Sequence, residues 1–304
     1  MICPELIADK RWTQTLIIIQ RPIVSWRFDK LHYTICNAIS RQLKVTSMSL
    51  PYDILSLIIE QLGNEDITNT LAAAAQTCKE VASLCQAQLF KKIIIWNPNT
   101  KRFGVAFDRS RRLIPILASS PRLAKLVSSL SLYIDDDIPH GAAYGNLSQA
   151  LTNMMAVKSL FIDLFHHDWP TKYDFLTQHL LRRPSLVTLK LNRVENLEIA
   201  DLLQCSNLQS LSLEVVRRIQ SIDPPVDTFE TGSASRIAVS DLRVHRIDIS
   251  LLRNPSKRRS VFLDATSIRR ISSFFDASNN RQSLRILFEQ AHYIEELALS
   301  SMHH

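Results

Sequence analysis

One pattern restricts this chain more than any other. The hexad apolar-x-x-apolar-x-apolar stands at Val127, Leu130, Leu132; at Val157, Leu160, Ile162; at Leu186, Leu189, Leu191; at Leu208, Leu211, Leu213; at Val239, Leu242, Val244; and at Ile294, Leu297, Leu299. A weaker copy lies at Ile268 and Ile271. Measured on the middle residues, the copies follow at steps of 30, 29, 22, 31, 29 and 26 residues. Helix-like segments lie between them, at Asn146 to Ala156, Tyr173 to Arg183, Glu195 to Cys205 and Asn280 to Ala291. A short strand then a helix, repeated, predicts a βα solenoid, whose units stack so that neighbours bury a common core. The competing arrangement is a set of unrelated strands and helices in an α/β layer.

The hexads resemble leucine-rich repeats, with a period stretched beyond that family's usual range of roughly 20 to 29 residues. Three positions after the last apolar residue, where the family often has Asn or Cys, stand Asp135, Phe165, Val194 and Val216. The resemblance therefore implies irregular repeats without an asparagine ladder. Arg217 to Arg236, with Pro224-Pro225 and Gly232, interrupts the pattern and reads as an extended surface loop. At the C-terminus, Ile294, Leu297 and Leu299 form a last apolar strand with no polar cap after it. An uncovered repeat edge recruits other chains, so this strand is expected to lie under a partner or the preceding helix, or the protein to continue beyond His304.

Leu50 to Trp96 reads differently. Pro51 suits the first position of a helix, where its missing N–H is no loss, and Asp53 follows in the positive first turn. Ile54, Leu55, Ile58, Ile59 and Leu62 make an apolar band wider than one partner helix needs. Gly63 is expected to close this helix. Asn64, Glu65 and Asp66 offer caps for a second helix through Leu71, and Lys79 to Lys92 reads as a third. Three short helices carry more apolar positions than their own interior covers, which calls for a partner surface.

Leu50-Pro51, Ile54-Leu55, Ile58, Leu62, Asp66-Ile67, Cys78-Lys79 and Leu89-Phe90 resemble the F-box motif. Val81 and the small run Ala72 to Ala75 depart from it, standing where many members carry Trp or larger side chains. The resemblance implies docking on the Skp adaptor, and through it on a cullin, by Leu50, Pro51, Ile54, Leu55, Ile58, Leu62, Ile67, Lys79, Leu89 and Phe90. The expected organisation is a leader at 1–48, an F-box at 49–96, a connector at 97–112 and a leucine-rich-repeat-like target-binding domain at 113–304. The fold class expected is thus α+β or α/β repeat, three helices followed by an irregular βα solenoid. Within the leader, Asp29 to Leu43 is either a helix packed on the F-box or part of an unordered segment. The connector is expected to open with a turn at Asn97 to Thr100.

The expected function is that of a substrate-recognition subunit of a Skp-cullin-F-box ubiquitin ligase, which positions a protein target and has no catalytic residues of its own. The alternative is a non-catalytic repeat scaffold whose F-box-like helices only cap the solenoid. Among 304 residues the glycines number 5, and none form a phosphate-cradling loop. The 5 cysteines include no CxxC pair, which argues against a disulfide framework or zinc site and for reduced thiols in the cytoplasm or nucleus. His166-His167-Asp168 reads as a solvated turn, and Asp135-Asp136-Asp137 as a charged repeat turn lacking calcium-loop spacing. No cofactor or metal is expected. The formal charge of +7 is spread over doublets without nucleic-acid-binding aromatics, so neither nucleic acid nor membrane is expected as a partner. Arg182-Arg183 and Lys257-Arg258-Arg259 are the candidate contacts for an acidic or phosphorylated target.

Overall fold

The computed structural model describes residues 51–64, 68–96, 104–134, 142–169, 177–220, 237–245, 263–275 and 293–301. The chain divides into two units, Met1–Lys92 and Ile93–His304. The expectations for the leader, Leu50, Ile67, the turn at Asn97 to Thr100, Asp135 to Asp137, the helix at Asn280 to Ala291 and Lys257 to Arg259 lie outside the described residues. No described helix is long and apolar enough to cross a membrane.

In the first unit, α1 (Tyr52–Asn64), α2 (Thr68–Ala74) and α3 (Lys79–Leu89) pack on one another. Pro51 precedes α1, and its carbonyl accepts the Leu55 N–H at 3.1 Å. Ile59, Leu71, Ala75 and Cys85 are buried together, with Leu55, Leu62, Val81, Ala82, Leu84 and Leu89 packed around them. The third helix stops at Leu89 rather than Lys92, because Phe90 is its C-cap and a strand begins at Lys92. Gly63 does not close α1, which runs through Asn64. A Cβ at Gly63 would come within 2.8 to 3.0 Å of the Gln88 side chain, so glycine here lets α1 approach α3 closely.

The second unit is built on an open sheet in the order β1-β2-β3-β4-β5-β7-β8-β9, with β6 paired to β4. Its strands are β1 (Lys92–Trp96, whose first residue closes the first unit), β2 (Ser129–Tyr133), β3 (Ser159–Asp168), β4 (Thr188–Glu198), β5 (Ser210–Glu214), β6 (Arg217–Gln220), β7 (Asp241–His245), β8 (Arg270–Phe275) and β9 (Glu296–Ser301). Pairing from β2 onward is parallel, which requires a crossover between neighbours. The class is therefore α/β, with a parallel open sheet grown almost in chain order.

All seven middle residues of the hexads meet in register: Leu130, Leu160, Leu189, Leu211, Leu242, Ile271 and Leu297 are successive cross-strand partners. The first six are buried, at about 1.5 to 3 kcal/mol apiece for a fully buried Leu or Ile. Leu297, on the last strand, is 46% exposed. The helix α4 (Gly104–Ser119) packs on α6 (Ala142–Asn153), with the short α5 (Pro121–Ala124) against both, and Leu113, Ile114, Leu117, Leu123, Ala124, Ala150, Leu151 and, just after α6, Met154 are buried.

Several expectations change. Residues 104–112 of the expected connector are the first turns of α4, where Ser110 lies three, four and seven residues before Leu113, Ile114 and Leu117 on the buried side and accepts the Trp96 N–H at 2.9 Å. The helix expected over Glu195 to Cys205 is strand through Glu198 and then only α7 (Ile199–Leu202). Its partner explains this. Arg217–Gln220, expected in a loop, forms β6 and pairs Glu195 with Arg217 and Leu197 with Ile219. His166-His167-Asp168 is likewise the end of β3 rather than a turn. Of the helix expected over Tyr173 to Arg183, the described part is a π-helical turn, Thr177–Leu181.

Polar side chains between the strands satisfy carbonyls of the segments they follow. Asn153 donates to Leu117 and Ala118 at 3.2 and 2.9 Å, closing the C-terminus of α4. Ser185, Asn207 and Ser267, each four residues before a hexad centre, donate to Val157, Pro184 and Val239 at 2.8, 2.8 and 3.1 Å.

Candidate functional site

Two surfaces remain after the cores are assigned. The first is on α1. Its inner face presents Leu55, Ile59 and Leu62 at helical spacing to the core of its unit. Away from that face stand Ile54, Leu57 and Ile58, exposed at 44%, 62% and 42%, while Tyr52, also exposed, lies two residues before Ile54 and so on a different side of the helix. These three large apolar side chains on one side of a short helix form a patch of the kind that marks interaction sites. The expected adaptor residues therefore divide. Pro51, Ile54, Ile58 and Lys79 are exposed, whereas Leu55, Leu62 and Leu89 pack inward, because three short helices need those side chains for their own interior, and Phe90 is buried. Tyr52 and Leu57 were not among the expected residues, although Leu57 sits one turn after Ile54 and immediately before Ile58, and the helical period points to it.

The second surface is the face of the sheet opposite the hexad leucines. Its residues are the intervening positions of each strand, so their neighbours follow once the register is known. One row runs Ser131, Phe161, Lys190, Ser212, Arg243, Ser272, Ala298, and the next begins Tyr133, Asp163, Asn192, Glu214, His245. At one end, Trp96 stacks on Tyr133 with centroids 4.0 Å apart and planes 9° apart, and Tyr133 meets the edge of Phe161 at 5.3 Å. Arg193 lies over the Phe165 ring at 4.0 Å, and Lys190 stands 5.5 Å from the Phe161 centroid. Burial raises the Tyr133 hydroxyl pKa above its usual value, with the Asp163 charge adding to the rise and Arg193 opposing it.

Asp163 ties this end together. Its carboxylate is buried and accepts the Phe165 N–H at 3.1 Å, Asn192 Nδ2 at 2.9 Å and Arg193 Nε at 2.9 Å. Phe165 and Arg193 both adopt left-handed backbone, φ 53° and 50°, unusual for residues with a Cβ. The Asp163 bonds hold the chain in that conformation.

Farther along, Lys190 pairs with Glu214 at 2.7 Å and Arg243 contacts Asp241 at 3.5 Å. These residues line a shallow cavity of about 450 Å³ together with Thr188, Ser210, Ser212, Ser240 and Arg270.

Of the expected target contacts, Arg182 is exposed and bonds to Gln204. Arg183 turns inward. It is 7% exposed, donates to the Leu151 carbonyl and, at 3.4 Å, to that of Thr152, and so caps the C-terminus of α6. Burial draws its pKa down to about 10, which still leaves it charged at neutral pH. The doublet is thus not presented as a pair, because consecutive residues leave this turn in opposite directions.

No protein-family model matches the sequence, and no curated protein is similar to it.

Proposed function

We propose that this chain is a substrate-recognition subunit of a Skp-cullin-F-box ubiquitin ligase, docking on the adaptor through α1 and holding a protein target on the open face of its leucine-rich-repeat-like sheet. The observation that carries the reading is the exposed stripe of Ile54, Leu57 and Ile58 on a helix whose Leu55, Ile59 and Leu62 already close its own core. An apolar stripe of that kind loses free energy to water unless a partner covers it. The F-box-like order of Pro51, Ile54, Ile58 and Lys79 supports a Skp adaptor as that partner. The runner-up, in which these helices only cap the repeats, gives the stripe no task.

The experiment is a binding titration of the purified chain against a Skp adaptor. The expected result is a stable complex that the Ile54→Ala, Ile58→Ala double variant loses by about 2 kcal/mol or more, the magnitude typical of a central interface anchor. A wild-type chain that does not bind, or a double variant that binds equally well, overturns the reading.

A further inference from the structure

Phe161, Lys190, Ser212 and Arg243 are consecutive cross-strand neighbours on the open face of the sheet. The two cations flank a serine that is 6% exposed and whose Oγ has no hydrogen-bond partner. Diagonal to Arg243 stands Arg270, paired in register with Asp241; it is exposed and engaged in no side-chain hydrogen bond or ion pair among the described residues. Lys190, Arg243 and Arg270 line this cavity against Glu214 and Asp241, so the lining carries one positive charge in excess. The Arg243 side chain is 63% exposed and its contact with Asp241 is long, which leaves the guanidinium available. A hydroxyl without a partner beside surplus positive charge is a seat for an acceptor that is also an anion.

The aromatic end supplies the second half. Trp96, Tyr133 and Phe161 are half-buried on the same sheet face, and Ile94, on β1, is 55% exposed. Strands lie about 4.8 Å apart, so Phe161 and Ser212 are separated by about 10 Å, and Phe161 and Arg243 by about 14 Å. Three to four residues of extended chain cover that distance at about 3.3 Å each.

We propose that this face takes an extended acidic segment of a partner protein: a large apolar or aromatic residue rests on the Trp96, Tyr133 and Phe161 rings, and an Asp or Glu three to four positions away seats its carboxylate between Lys190 and Arg243, where it accepts the Ser212 hydroxyl proton as a hydrogen bond. The proposal rests on the reading of the sheet as the target-binding surface and specifies the chemistry of the target.

The test is selection on the full chain from a displayed library of random peptides about a dozen residues long. The expected pool pairs an acidic residue with an aromatic or large apolar one three or four positions apart. Synthetic members of the pool should bind at least about tenfold more weakly when the acid becomes its amide, and likewise to an Arg243→Glu, Arg270→Glu chain, whose exposed substitutions leave the fold intact by circular dichroism. No enrichment, a pool without acidic residues, or equal binding by the charge-reversed chain overturns the proposal. A gain of more than about tenfold when phosphoserine replaces the acid overturns the assignment to a carboxylate. Adaptor titration of the same charge-reversed chain separates this proposal from the docking reading. Adaptor binding that persists while peptide binding is lost supports the peptide seat, and a wild-type chain that binds peptide but no adaptor refutes only the ligase assignment.

Discussion

Replacing Asp163 with Ala removes the acceptor on which β3 and β4 converge. The carboxylate, 2% exposed, receives hydrogen bonds from the Phe165 N–H, Asn192 and Arg193. A hydrogen bond to a charged group contributes about 1.5 to 3 kcal/mol net. The Arg193 side chain is 31% exposed, so water replaces much of its share and the surface-pair value of about 0 to 1 kcal/mol is the better guide. Phe165 fares worse, because its N–H loses its acceptor at φ 53°, where a left-handed L-residue already costs about 1 to 2 kcal/mol. Together these losses amount to about 3 kcal/mol, a large share of the roughly 5 to 15 kcal/mol that holds a domain folded.

Asp163→Asn keeps an oxygen for the Phe165 N–H but puts an NH2 where Oδ2 accepts Asn192 Nδ2, so it gives up that bond as well as the ion pair and should cost about 1 to 2 kcal/mol, less than the alanine. Urea unfolding followed by circular dichroism gives the comparison, and hydrogen exchange over residues 159–168 gives the local one, since stacked repeats need not unfold in a single step. A double-mutant cycle with Arg193→Met isolates the pair. If Asp163→Ala unfolds at the wild-type urea concentration and its strand exchanges no faster, the carboxylate does not hold the turn and the reasoning fails.

Ile59→Ala, on the inner face of α1, should destabilise the first unit by about 2 to 5 kcal/mol, whereas Ile54→Ala and Ile58→Ala together should leave its unfolding curve nearly unchanged. Arg183→Met leaves the last carbonyls of α6 without their cap and should cost about 1 to 2 kcal/mol by denaturant titration; a more stable variant would show that burying the guanidinium outweighs the bonds it makes. Cys85 and Cys205, whose pKa burial pushes up to about 12, should resist a thiol reagent at neutral pH while exposed Cys78 reacts, as peptide mapping by mass spectrometry would reveal; modification of Cys205 in the folded chain would contradict its position in the core.

The spacing of Leu130, Leu160, Leu189, Leu211, Leu242, Ile271 and Leu297 was legible because a strand buried on one side writes its burial into every second residue, whatever its neighbours are. The two-sided apolar character of α1 was legible for the same reason at a period of 3.6. Which of its two faces turns inward was not, since Ile54, Leu55, Ile58 and Ile59 are chemically alike and only packing against Leu71 and Cys85 separates them. Glu195 to Glu198 shows the limit most directly. Its local preference reads as helix, yet a strand forms because Arg217–Gln220 lies alongside to take its backbone hydrogen bonds.

Local pattern thus determined the repeating strands and the amphipathic helices, because burial of a residue's own side chain is a local demand. The sheet face that joins Trp96, Tyr133, Phe161 and Asp163 to Arg193, and Lys190 through Ser212 to Arg243, was decided only by the tertiary structure. Those residues come from six different strands, and they become neighbours only when strand pairing, parallel from β2 onward, brings them side by side.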